Sequence, residues 1–227
     1  MILDPLYFLI IAPAVLLGLW AQFRIKSTYA VAQQTPASLS GAAAARHILD
    51  SAGLQNVDIE QVPGHLSDHY DPQRKILALS PDVYQTRSMA AVGIAAHEAG
   101  HAIQDAERYA PLVVRNAAVP VAGFGSNFGL LLLLIGMIMG QPALLLLGII
   151  LFAGVVAFQL VNLPVEFDAS NRAKALLVSH GIVHQEEMHY VNKVLNAAAL
   201  TYVAATLQAV LTLVYYLIRY SAMRRDD

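Results

Sequence analysis

The sequence predicts an α-helical integral membrane protein with about four transmembrane helices and a small α+β domain. Two observations carry that expectation. Of 227 residues, 57% are hydrophobic and only 13% charged, against roughly 25% charged in an ordinary soluble protein. The apolar residues also gather into four long runs separated by two polar blocks, and within the first block short β-prone stretches lie among helical patterns. A net charge of −2 lacks the basic excess that phosphate neutralisation requires, which argues against nucleic acid as a partner. With no cysteine, disulfides, thiolate metal sites and cysteine nucleophiles are excluded. Any metal must be held by His, Asp or Glu.

The first run, 2–23, "ILDPLYFLIIAPAVLLGLWAQF", carries one charge, Asp4. It is long enough to cross a hydrocarbon layer of about 30 Å. A cleavable signal peptide would need a basic start, whereas Arg24 and Lys26 follow the apolar stretch. In the polar block 24–116, Ser38 or Ser40 is placed to cap a helix through "GAAAARHILDSA", with Gly53 as its stop. Stretches 56–62, "NVDIEQV", and 75–80, "KILALS", predict a two-stranded sheet with the turn-rich "PGHLSDHYDPQR" between them. Ser88 then caps a long helix, "MAAVGIAAHEAGHAIQDAERYA". Runs 117–139 and 143–161, parted by Gly140–Pro142 and free of charge from Arg115 to Glu166, predict a transmembrane hairpin. In the second polar block, 162–196, Pro164 suits a helix first turn and Gly181 its end. The last run, 197–218, reaches Arg219 through Tyr215 and Tyr216, with Tyr220 just beyond, in the manner of an interfacial belt. Residues 219–227 form a tail.

Chemistry concentrates in "HEAGH". On a helix, His97 and His101 share a face and can hold one metal ion, while Glu98 falls beside that face. In this spacing the glutamate does not ligate. It takes a proton from the attacking water and delivers it to the leaving amine. A catalytic zinc needs three protein ligands and an open position, and the residues after His101, "AIQDAERYA", supply no third histidine. The remaining acids before the tail are Glu166, Asp168, Glu186 and Glu187. Glu166 is the favoured ligand, because an even number of crossings returns the chain to the side it left, with Asp168 as the alternative. Asp105 and Ser170, one turn beyond His101 and Glu166, are candidates for orienting the ligands.

These residues resemble the YugP-like membrane zinc metallopeptidases, a bacterial group related in layout to the HtpX-type and CAAX-prenyl-protease gluzincins. The resemblance runs over nearly the whole chain, through the amino-terminal span, "GHLSDHYDPQRKILALS", "AAHEAGHAIQDA", the hairpin, "LPVEFDASNRA" and "LNAAALTYVAA". It implies a zincin-like metalloprotease domain in two halves, 24–116 and 162–196. It also implies one catalytic Zn2+ held by His97, His101 and Glu166, and Glu98 as general base. The HtpX-type pattern places an Asp four residues after the ligand Glu, where this sequence has Ser170; Asp168 and Asp105 both stay open as the orienting carboxylate.

Among other polar residues, His65, Asp68, His69 and Asp71 read as turn chemistry rather than a second metal site. "KILALS" is a candidate edge strand for pairing with an extended substrate. Arg172, His189, Tyr190 and Tyr202 are candidate oxyanion donors, and His180 and His184 read as surface histidines. Arg24 and Lys26 place 24–116, and so the site, in the cytoplasm of a bacterial cell by the positive-inside rule, although Arg219, Arg224 and Arg225 would then lie outside. The expected function is a multi-pass inner-membrane zinc endopeptidase. Its partners would be a protein or peptide substrate, drawn from membrane or misfolded proteins, and the lipid bilayer. Membrane partner proteins and a homo-oligomer stay open. The alternative is a non-proteolytic zinc-binding membrane scaffold or chaperone. A metal transporter would instead place His or acidic residues inside the spans.

Overall fold

The computed structural model describes residues 4–226 and divides into two compact units. One comprises Met1–Ala21, Val113–Pro164 and Leu200–Asp227; the other Gln22–Leu112 and Val165–Ala199.

In the second unit, helix α2 (Gly41–Ser51) begins at Ser40, whose Oγ accepts from the Ala43 amide at 3.3 Å. Ser38 caps nothing and donates to the Ile182 carbonyl. The helix stops at Gly53, where φ is +76° and the Leu54 amide closes back on the Leu49 carbonyl. A side chain at that φ would be strained, as expected for a glycine stop. Three strands follow, β1 (Asp58–Gln61), β2 (His69–Asp71) and β3 (Ile76–Leu79), in the order β1-β3-β2. β1 runs parallel to β3, with Asp58 opposite Ile76, and β2 runs antiparallel to it, with Tyr70 opposite Leu77.

The sheet thus has one strand more than the sequence predicts, and the additional one comes from the turn-rich stretch. The Asp71 carboxylate accepts from the amides of Gln73 and Arg74, and Lys75 takes a positive φ of 56°. These tighten the connection enough to fold His69–Asp71 back on β3. A second correction concerns "KILALS": β3 is buried along its whole length and paired on both sides, so it has no free edge for a substrate. Asp68 accepts from the amide and hydroxyl of Ser80, fixing the entry to the short helix α3 (Pro81–Tyr84).

Helix α4 (Met89–Ala106) starts at Ser88, whose Oγ accepts from the Ala91 amide at 3.2 Å. It ends four residues earlier than its composition predicts. Arg108 adopts φ 53°, while the Tyr109 and Arg108 amides bond the carbonyls of Gln104 and Asp105, a Schellman closure made without glycine. Most of α4 is buried, and its alanines and glycines let neighbouring backbones come close. A Cβ at Gly100 would lie 2.8 Å from the Ala169 carbonyl oxygen. We expect Gly100→Ala to destabilise the protein by about 1–3 kcal/mol through overpacking against backbone that cannot rotate away, measured as a fall in thermal midpoint; an unchanged midpoint would show that the contact is soft.

The other unit consists of apolar helix segments. The described residues include four helical stretches long and apolar enough to cross a membrane: Pro5–Gln34, Ala110–Met139, Pro142–Ser179 and Met188–Arg225. Helix α1 is Pro5–Gln34, and the second stretch is α5 (Ala110–Phe124), a π turn (Gly125–Gly129) and α6 (Leu130–Met139). Gly140 turns the chain at φ +62° into α7 (Pro142–Ser179), and α8 is Met188–Asp226. Leu133, Leu145, Ile149, Phe152 and Val156 form the core of this unit with Ala209. The chain is a helical membrane protein carrying a small α+β domain.

Pro164 does not open a new helix. It sits inside α7, which continues unbroken to Ser179. Proline removes one backbone donor, and long helices in membrane proteins absorb that loss where neighbouring groups satisfy the freed carbonyl. Gly181, at φ +63°, follows the helix end as predicted.

Candidate metal centre

His97, Glu98 and His101 occupy two successive turns of α4, and Glu166 and Ser170 two turns of α7. The fold brings His97, His101 and Glu166 together: one ligand atom from each lies within 4.8 Å of the others, and among the described residues this is the one group of three or more such side chains. His97 Nε2 stands 3.3 Å and His101 Nε2 3.7 Å from Glu166 Oε2. The imidazole rings are nearly perpendicular, at 82°.

Each histidine is held by its other nitrogen. His97 Nδ1 meets Ser170 Oγ at 3.1 Å, and His101 Nδ1 meets Gln104 Oε1 at 2.9 Å. Gln104 is fully buried and its amide orientation is fixed, because Nε2 donates to the Val165 carbonyl at 2.9 Å and to Asp168 Oδ2 at 2.8 Å. Its Oε1 must therefore accept, which puts a proton of His101 on Nδ1 and turns Nε2 toward Glu166. Asp168 also accepts from Arg172 Nε at 2.5 Å, and Arg172 Nη1 reaches Glu107 at 2.7 Å. A chain of polar contacts thus runs from His101 to the turn after α4.

Electrostatics concentrate on the buried carboxylate. Glu166 is 5% exposed, and its Oε2 is buried without a hydrogen-bond partner; at 3.3 and 3.7 Å the imidazole nitrogens are too far for good hydrogen bonds. An oxygen of this kind is costly to bury unless something compensates it. A cation among two imidazole nitrogens and one carboxylate oxygen would do so, and the donor set suits zinc. At His101 burial works against the protonated form, but the carboxylates of Glu166 and Glu98 outweigh it and hold the pKa above the usual histidine value.

Of the residues expected to orient the ligands, Ser170 and Asp168 are part of this arrangement, the first directly and the second through Gln104. Asp105 is not. It accepts from the Tyr70 hydroxyl at 2.8 Å and Lys75 Nζ at 2.5 Å, tying α4 to the sheet, and with burial it raises the Tyr70 pKa. Arg172 is engaged by Asp168 and Glu107, and His189 Nδ1 by the Glu186 carbonyl. Sequence reasoning missed Gln104; its one signal is a polar residue three positions after His101, on the helix face that carries both histidines. We expect Gln104→Leu to weaken zinc binding about 10- to 100-fold without changing the number of ions bound, measured by competition with a chelator. Unchanged affinity would reduce Gln104 to a packing residue.

Residues 7–221 match the family described as "Putative neutral zinc metallopeptidase". The chain belongs to that family. It is 49% identical over 211 residues to a Bacillus subtilis (strain 168) protein named "Putative membrane protease YugP", covering 92% of this chain and 93% of that one. No solved structure gives a significant match. Membership implies peptide hydrolysis as the chemistry and zinc as the metal, and the four apolar helices imply lipid contact.

Proposed function

We propose that the chain is an integral membrane zinc endopeptidase that hydrolyses membrane or misfolded proteins, with one Zn2+ held by His97, His101 and Glu166 and with Glu98 as general base. The observation that carries this reading is the buried, unpartnered Glu166 oxygen facing two imidazole nitrogens whose other ring atoms are already bonded. Zinc in such a site supplies a Lewis acid that polarises a peptide carbonyl and acidifies water. His101 and His97 keep Nε2 available because Gln104 and Ser170 occupy Nδ1. Glu98, next to His97 and only partly buried, receives a proton on its carboxylate as water attacks, then releases it to the departing amine.

In this reading the peptidase domain is assembled from 24–116 and 162–196. The segments 2–23, 117–161 (as a hairpin) and 197–218 lie in the membrane, and 219–227 is a tail. The site faces the cytoplasm of a bacterial cell, as Arg24 and Lys26 after the first span favour. The full chain, purified in detergent, should contain one zinc per polypeptide and cleave an unfolded protein such as casein, with cleavage lost on chelation and restored by zinc. Zinc at that ratio with no cleavage of any unfolded or membrane protein would make the chain a metal-stabilised scaffold.

A further inference from the structure

Within the unit of apolar helix segments, a cavity of about 230 Å³ is walled by Asp4, Tyr7, Tyr215 and Tyr216 together with aliphatic side chains of α6. Asp4 stands immediately before α1 and accepts from the Leu6 amide at 3.0 Å and the Tyr215 hydroxyl at 2.7 Å. Two carboxylate oxygens offer about four acceptor positions, so these bonds leave capacity for further donors. Arg219 Nε pairs with Asp4 Oδ2 by charge at 3.6 Å, too far for a hydrogen bond, so this buried N–H has no hydrogen-bond acceptor. The rings of Tyr7 and Tyr215, and of Tyr215 and Tyr216, meet edge to face with centroids 5.0 Å apart. Ring faces in such a cluster attract a cation.

A structural staple between α1 and α8 would account for the Asp4–Tyr215 bond. With the Asp4–Arg219 ion pair it also accounts for where Arg219 sits, but it leaves the cavity beside them open and gives the Arg219 Nε–H no acceptor. Both are explained by a ligand that carries a cation and an anion a few atoms apart and that enters from lipid, since tyrosines and an arginine at the end of an apolar helix mark the interface. We propose that this cavity binds the head group of an amine-bearing zwitterionic phospholipid, its ammonium on Asp4 and the tyrosine rings and its phosphate on Arg219. The pair discriminates by charge. Phosphatidylglycerol offers Arg219 the same phosphate but brings only neutral hydroxyls to Asp4, whereas phosphatidylethanolamine answers both groups with charge. This site is independent of the metal centre and of the peptidase reading.

The test is lipid retention by the full chain, purified from equimolar phosphatidylethanolamine and phosphatidylglycerol and measured by native mass spectrometry. The wild type should retain phosphatidylethanolamine about fivefold over phosphatidylglycerol. Asp4→Asn should bring that ratio to about one, and Arg219→Gln should lower retention of both lipids. Tyr215→Phe breaks the link to Asp4 but keeps the ring and the carboxylate, and should retain the preference. A wild-type ratio near one overturns the proposal. So does loss of preference in Tyr215→Phe equal to that in Asp4→Asn, because Asp4 would then act only as a staple, or an Arg219→Gln variant that retains both lipids like the wild type.

Discussion

Glu98→Gln should retain zinc at the wild-type ratio while proteolysis falls by at least about 10²–10⁴-fold, the contribution of a positioned general base. Glu98 lies one residue from His97 on α4, so the helix rotation turns it off the shared face of His97 and His101. In the proposed site the ligands are found without it, since two imidazoles and the Glu166 carboxylate come within 4.8 Å of one another. Glutamine preserves size and hydrogen bonding but cannot accept the proton that the attacking water must lose. Zinc content and casein cleavage, measured on the same preparation, separate the possible roles. Loss of both would make Glu98 a ligand or a structural residue, and retained cleavage would require a different base.

How much of this was legible in the sequence varies with the physics of each feature. The apolar runs could be read because lipid selects composition over some twenty consecutive residues. Where the helices stop could not, because hydropathy reports where lipid ends and not where helical hydrogen bonding ends. Hence α1 runs on to Gln34 and α7 passes through Pro164. His97 and His101 were legible because their relation is local, one turn of one helix. Glu166 was reached only by topological argument, 65 positions after His101, and the fold does bring the three together. Strand β2 was not legible. His69, Tyr70 and Asp71 are too short a run for alternation to stand out among turn residues, and they pair because Asp71 and Lys75 shape the turn that returns them to β3. Gln104 was hidden for a related reason. Its partners Val165 and Asp168 lie more than sixty residues away, and a buried amide has no meaning until both of its ends are seen to be satisfied. The central place of β3 likewise depends on a third strand that the residue pattern does not announce.

Glu166→Ala should abolish zinc binding while leaving the metal-free protein folded. Most buried polar groups anchor a fold through hydrogen bonds, and removing one leaves a partner unsatisfied. Glu166 differs: its Oε2 has no hydrogen-bond partner, so the chelator-treated variant should unfold within about 1 kcal/mol of the chelator-treated wild type, the range of many single substitutions. The metal depends on it far more. Taking one of three ligands away should weaken zinc beyond the about 10- to 100-fold that loss of an orienting partner costs. Thermal unfolding with and without zinc reads both effects at once. Zinc at a hundred times its dissociation constant should stabilise the wild type by about 2.7 kcal/mol and Glu166→Ala not at all. Asp168→Ala, which removes the acceptor shared by Gln104 and Arg172, should still respond to zinc at higher concentration. If Asp168→Ala loses the response and Glu166→Ala keeps it, the third ligand is Asp168, and α7 presents to the two histidines of α4 the face that carries Asp168.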